Sequence, residues 1–219
     1  MTLPARFYPI FDHPEWFARM LPLGVRMAQL RVKGAGTRTL RAMIAEARDL
    51  CARHGALLVV NDHWRLALDE GCAAVHLGQE DLDGADLGAI RAAGLRLGLS
   101  THDEAELARA LAARPDHVAL GPIHATTLKP MKHRPQGLAR LRRWRALCGP
   151  LPLVAIGGMT PARGAAALAA GADCVAVVTD VTMARDPEAR VREWLAALED
   201  VPRAAADPAP PGALERRTT

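Results

Sequence analysis

Short apolar runs that end in polar residues recur eight times along the chain: RFYPIFD, VRMAQLRVK, ALLVVND, AAVHLGQED, LRLGLSTH, HVALGPIHATT, LPLVAIGG and DCVAVVTD. Apolar runs this short, bounded by glycine or polar punctuation, read as strands buried in a parallel sheet. Between most of them lie Ala/Leu/Arg stretches of helical period, among them Thr39 to His54, Asp103 to Ala113, Leu138 to Leu147 and Pro161 to Ala170. Thr160-Pro161 is a good helix start, with threonine as the cap and proline in the first turn. Eight strand–helix units in about 200 residues predict an α/β fold, a single (β/α)8 TIM barrel over residues 1–200. A doubly wound open sheet is the alternative, and it explains the count of eight less well. The third unit is the weakest, since HWRLALDEG leaves room only for a short helix closed by Gly71. Residues 201–219 form a Pro/Ala/Arg tail with little to bury, and a disordered tail is expected.

Composition narrows the class. Half of the residues are hydrophobic, which is ample for a core. No apolar run reaches the length of a membrane span, and the start of the chain lacks the pattern of a leader, so a soluble cytoplasmic protein with no membrane partner is expected. Cys51, Cys72, Cys148 and Cys174 are widely spaced, without metal-ligand or redox spacing, and read as small buried thiols. The net charge of +4 comes from scattered basic residues, and aromatic residues make up only 4% of the chain. That leaves little to stack bases on, and no nucleic-acid partner is expected. Of the 28 basic residues only Lys33, Lys129 and Lys132 are lysines. In a chain otherwise so committed to arginine, each is a candidate for a compact point charge on phosphate, although three residues are too few to exclude chance.

In a barrel of this kind the loops after the strands share one face, and that face carries the chemistry. Here it would gather Gln29, Arg31 and Lys33; Asn61 and Asp62; Gln79, Glu80 and Asp81; Ser100 and His102; Thr126, Thr127 and Lys129; Gly157 and Gly158; and Thr179. Two carboxylates and an amide, without paired Cys or His ligands, suit a hard octahedral cation such as Mg2+. Each aspartate taken alone is more often a cap on the following helix or loop than a ligand. Backbone N–H groups at Gly157-Gly158 and at Thr179-Asp180 suit an anion, where such barrels commonly bind phosphate. The glycine pair alone is also explained by a tight turn. Among the histidines, His76 is placed to point into the barrel, and His102 and His124 lie on the presumed active face. His63, His117 and His133 have no distinguishing context.

Taken in order, QLRVK, VVND, AVHLGQEDL, GLSTH, GPIHATTLK, PQGL, VAIGGM and VVTDV resemble the thiamine phosphate synthase family over about 150 residues. HLGQEDL and the Gly-Pro-Ile…Thr…Lys loop carry most of that specificity. The resemblance implies a Mg2+-dependent transferase on a phosphate-binding barrel. Such an enzyme joins hydroxymethylpyrimidine diphosphate to thiazole phosphate, giving thiamine phosphate and diphosphate. It implies that Gln29, Leu30, Arg31, Val32, Lys33, Asn61, Ser100 and Lys129 bind the pyrimidine diphosphate. It further implies that Asp62 and Asp81 hold Mg2+. Thr126, Thr127, Leu128, Gly157, Gly158, Val178 and Thr179 would hold the thiazole phosphate. Arg31, Lys33, Ser100 and Lys129 are the groups it places at the reacting bond. A homo-oligomer is compatible with the resemblance.

The chain departs from the family at several of these places. It has His124-Ala125 where an aromatic-Pro pair is frequent, Leu128 for threonine, His63 for arginine and Thr179 for serine. Two other readings share the fold: a thiazole tautomerase working by acid/base catalysis through His102 or His124, and a non-catalytic regulator that binds thiazole phosphate. The tautomerase would not need the Asp62, Asp81, Lys33 and Lys129 set, whereas the regulator would keep the pocket without turnover.

Overall fold

Eight parallel strands close on themselves in sequence order, each followed by helix, in the computed structural model, which describes residues 2–126 and 134–202. The strands are β1 (Phe7–Phe11), β2 (Met27–Leu30), β3 (Leu57–Asn61), β4 (Ala74–Leu77), β5 (Arg96–Thr101), β6 (His117–Leu120), β7 (Leu153–Ile156) and β8 (Cys174–Val177). Closure is made by β1 against β8, with Phe7 opposite Val175 and Pro9 opposite Val177. All eight apolar runs therefore become strands, and the (β/α)8 barrel replaces the open-sheet alternative.

Side chains alternate across each strand, so one set fills the barrel and the other meets the helices. In β1, Tyr8 and Ile10 belong to the inner cluster with Met27, Val59, Ala74, Ala119, Val154 and Cys174. Phe7 and Phe11 belong to the larger outer cluster. Both sets are buried, which is why the strands show no apolar/polar alternation in sequence.

The outer layer comprises α1 (Pro14–Met20), α2 (Thr37–Arg53), α3 (Trp64–Asp69), α4 (Gln79–Asp83), α5 (Leu87–Ala92), α6 (Glu104–Ala112), α7 (Gly137–Cys148), α8 (Pro161–Ala169), α9 (Thr179–Thr182) and α10 (Pro187–Glu199). The four helices expected from period are α2, α6, α7 and α8, and the short third-unit helix is α3. Their starts are built locally. Thr160 accepts from the Arg163 N–H at 3.4 Å, Asp103 from Glu106 at 2.9 Å and Asp186 from Ala189 at 2.9 Å. Each satisfies an N–H that the first turn leaves without a partner. Cys51, Cys148 and Cys174 are buried, Cys72 is half-buried, and all four are free thiols. Among the described residues no helix is long and apolar enough to cross a membrane. Thr127, Leu128, Lys129, Lys132 and His133, and the tail beyond Pro202, lie outside the described residues.

Candidate active site

The strands β2 to β5 deliver the first half of the site at their C-terminal ends. Gln29, on β2, is buried and donates from Nε2 to the Tyr8 hydroxyl at 2.7 Å. Leu30 closes the strand. Arg31 follows, with its N–H bonded to the Phe11 carbonyl at 2.7 Å, so the Arg31-Val32-Lys33 segment leaves the barrel from a fixed point. Lys33 is exposed, whereas Arg31 and Val32 are half-buried.

Asn61 ends β3 as one of the few buried polar residues. Asp62 follows with φ of 62°, a left-handed conformation uncommon for a residue other than glycine. Three bonds hold it there. Its N–H donates to the His76 carbonyl at 2.9 Å, the His63 N–H donates to Asn61 at 2.7 Å, and the Trp64 N–H donates to the Asp62 carbonyl at 2.9 Å. Asp81 arrives from the first turn of α4, where Oδ2 accepts from the Gly78 N–H at 3.1 Å. Asp81 is thus a loop cap, as one reading of the sequence allows.

Its carboxyl is also the hydrogen-bond partner of Asp62. Burial, followed by the Asp81 charge and that hydrogen bond, pushes the Asp62 carboxyl up to about 6, against the pull of Arg31 and His63. Two carboxyl groups this close offer an oxygen-only donor pair; the Gln79 Oε1 amide oxygen, two residues before Asp81 in sequence, is buried and without a partner among the described residues. That chemistry fits a hard cation such as Mg2+, for which one or two carboxylates suffice when substrate phosphate supplies further ligands. Among the described residues no group of three or more His, Cys, Asp or Glu side chains comes together, so the set is a pair and not a closed cage.

Ser100, near the end of β5, is tied to the start of α4 by Gln79, whose Nε2 donates to the Ser100 carbonyl at 2.7 Å. Its hydroxyl meets His76 Nε2 at 2.8 Å inside the barrel. His76 does point inward, and His117, to which the sequence assigns no role, is stacked on it at 5.5 Å between ring centres. A lone histidine at the head of an apolar run gives no hint of that partner 41 residues away. His102 sits on the loop after β5, with Nδ1 2.7 Å from Glu106 Oε2.

The second half of the site rests on backbone lacing between the β6 and β7 loops. Ile123 donates to the Ile156 carbonyl at 2.9 Å and His124 to Gly157 at 3.0 Å. The base of the β6 loop is pinned by Gln136 to Pro122 at 2.8 Å and by Gly137 to Ile123 at 2.9 Å. A Cβ on Gly157 would stand 2.6 Å from Pro122, and one on Gly158 2.3 Å from the Ala125 carbonyl; both glycines have positive φ. Glycine is required here first by packing. Thr126 follows directly on Ala125, the residue whose carbonyl abuts Gly158. Burial and the Arg163 charge hold the His124 imidazole below its usual range. Val178 and Thr179 open α9, whose first N–H groups precede the bond from Val181 to Val178 at 3.1 Å. Of the expected site residues, Thr127, Leu128 and Lys129 fall outside the described residues.

Residues 7–181 match the family model described as thiamine monophosphate synthase. A thiamine-phosphate synthase of Rhizobium etli is 58% identical over 191 residues, covering 87% of this chain and 94% of that protein. One of Serratia proteamaculans is 48% identical over 192 residues, covering 88% and 91%. The solved thiamine phosphate pyrophosphorylase of Pyrococcus furiosus superposes with a TM-score of 0.80 at 28% identity, covering 90% of this chain and 96% of that one. With the family model, the barrel and the relatives in agreement, the chain belongs to the thiamine monophosphate synthase family.

Proposed function

We propose that the chain is a thiamine-phosphate synthase, condensing hydroxymethylpyrimidine diphosphate with thiazole phosphate to give thiamine phosphate and diphosphate. The observation that carries the reading is the Asp62–Asp81 carboxyl pair at the mouth of a barrel whose next loop offers Arg31. A repelling pair flanked by cations is what a metal-bound diphosphate would neutralise. Mg2+ held by Asp62 and Asp81 would supply charge to the departing diphosphate.

The chain's own residues account for the rest. Arg31, Lys33 and Lys129 face the charge that grows as the C–O bond breaks, and preorganised cations act most strongly in a site closed to water. Gln29, fixed by Tyr8, and Asn61 orient the aminopyrimidine, while the side chains of Leu30 and Val32 pack in the outer core and leave only main chain to the site. Thr126, Thr127, Leu128, Gly157, Gly158, Val178 and Thr179 hold the thiazole phosphate so that the ring nitrogen meets the carbon left by diphosphate. The electron-rich pyrimidine bears the positive charge meanwhile, and no protein nucleophile is required. Positioning is the protein's main contribution. The relatives named above favour condensation over the tautomerase and the silent binder.

Diphosphate release from the purified protein tests the reading. Release that requires both substrates and Mg2+, and stops with chelator, supports it; a folded protein that binds thiazole phosphate and releases nothing overturns it. Asp81→Ala is expected to lose turnover by at least about 100-fold with the fold intact, a loss typical of an essential electrostatic group.

A further inference from the structure

Three side chains form a hydrogen-bonded line through the barrel interior, from its lower half to the mouth. His117 Nε2 lies 3.4 Å from His76 Nδ1, and His76 Nε2 lies 2.8 Å from Ser100 Oγ. Both imidazoles are buried. The barrel makes room for them at one place. A Cβ on Gly98 would stand 2.2 Å from His117 Cε1 and Nε2 and 2.6 Å from His76 Nδ1. In β4, β5 and β6, His76, Gly98 and His117 are consecutive register partners, so the missing side chain of the middle strand is filled by rings from both neighbours.

Burial disfavours the charged form of both imidazoles. A neutral imidazole has one N–H and one bare nitrogen, and the contact between the rings holds a single proton. The line therefore has two possible polarities. If His117 Nε2–H donates to His76 Nδ1, then His76 Nε2–H donates to Ser100, and the hydroxyl proton of Ser100 is free to point at the mouth. In the reverse order the Ser100 proton is spent on His76, and only lone pairs face the mouth. Arg31 and Lys33 mark the mouth as a place for anions, and an anion is met by a donor.

We infer that His117 is a positioning residue: by donating to His76 it fixes the tautomer that turns the Ser100 hydroxyl into a hydrogen-bond donor toward the diphosphate. The inference rests on the synthase reading for its substrate, but not for its polarity.

Two experiments on the full-length protein separate these. The first is 15N–1H NMR of the histidine-labelled chain without substrate, with His76 and His117 assigned by substitution. Protonated Nε2 on both rings is expected; a protonated Nδ1 on His76 overturns the inference whatever the protein catalyses. The second is kinetic. His117→Leu is expected to lower kcat roughly 10- to 100-fold, the scale of a lost outer hydrogen-bond partner, with KM for thiazole phosphate within about twofold. His117→Gln, which keeps a donor, is expected to recover most of that loss. In a Ser100→Ala background His117→Leu is expected to cost less than about twofold further, since the two act as one unit. An undiminished effect in that background, or wild-type kcat for His117→Leu, overturns the inference. Wild-type protein that shows Nε2 protonation and releases no diphosphate would instead sink the synthase reading alone.

Discussion

The main-chain N–H of Asp62 donates to the carbonyl of His76 at 2.9 Å, so the loop after β3 hangs from β4, the strand that leads to Asp81. Register does the rest, with Asn61 paired to His76, and the two carboxyl groups meet although they are distant in sequence. Two acids held together without a cation oppose each other. Replacing one by its amide should relieve the fold. Asp62→Asn is expected to melt higher than wild type at pH 8 in chelator, while losing diphosphate release by at least about 100-fold. Asparagine tolerates the left-handed backbone found there, so the exchange adds no strain. Differential scanning calorimetry decides; a lower melting temperature would mean that the carboxylate is a net support for the fold.

The same pair sets a pH dependence. A carboxyl whose folded pKa stands above its unfolded value stabilises the fold at acid pH and loses that contribution as pH rises. For Asp62 the window runs from the ordinary 3.8 to about 6. Without divalent cations this group should make the protein progressively less stable across that window, and no further above it. Cation binding competes with the same proton. The affinity for Mg2+, read by calorimetric titration, should weaken as pH falls through about 6. An affinity flat between pH 5 and pH 8 would remove Asp62 from the ligand set.

Gly158 tests the lacing of the β6 and β7 loops. A methyl group there meets the Ala125 carbonyl at 2.3 Å and His124 Cβ at 2.9 Å, on a backbone with φ of +60°. Gly158→Ala is expected to cost about 2–3 kcal/mol in urea unfolding, from strain and overpacking together. It should also raise KM for thiazole phosphate several-fold more than KM for the pyrimidine substrate. Equal effects on both would detach this turn from the thiazole side.

How much of this was legible in the sequence differs between strands and site. The eight apolar runs were readable because parallel strands, buried on both faces, are continuous patches of Val, Leu, Ile and Ala. The strand-end polar residues were readable because a barrel collects its loops on one face. Partnership across the barrel was not. His117 and Gly98 look unremarkable in HVAL and RLGL, and their meaning appears only when register sets them side by side. The helix carrying Asp81 begins two residues after β4 ends, too short to show a period. The glycine pair allowed two readings, phosphate turn or tight packing, and the contacts to Pro122 and Ala125 supply the packing reason without excluding the other.

Thr101 offers a last test, of the wall and not the mouth. Next to Ser100, which faces inward, it faces out beneath α7, fully buried. Its hydroxyl donates to the Ala119 carbonyl at 2.9 Å and accepts from Trp144 Nε1 at 3.0 Å. The indole is itself fully buried, so its N–H has been taken from water and depends on that one acceptor. Trp144→Phe removes the donor and leaves a partial void over β5. Each contributes, and together they should cost about 2 kcal/mol, or a melting temperature lower by roughly 4–8 °C in a chain of this size. Ser100 keeps its own bonds to His76 and Gln79, so kcat at 25 °C should stay within about twofold of wild type, as expected for sites that share no partner. A large fall in kcat with little change in melting temperature would show that α7 reaches the chemistry through this hydrogen bond, and that the outer wall of β5 is not independent of its inner face.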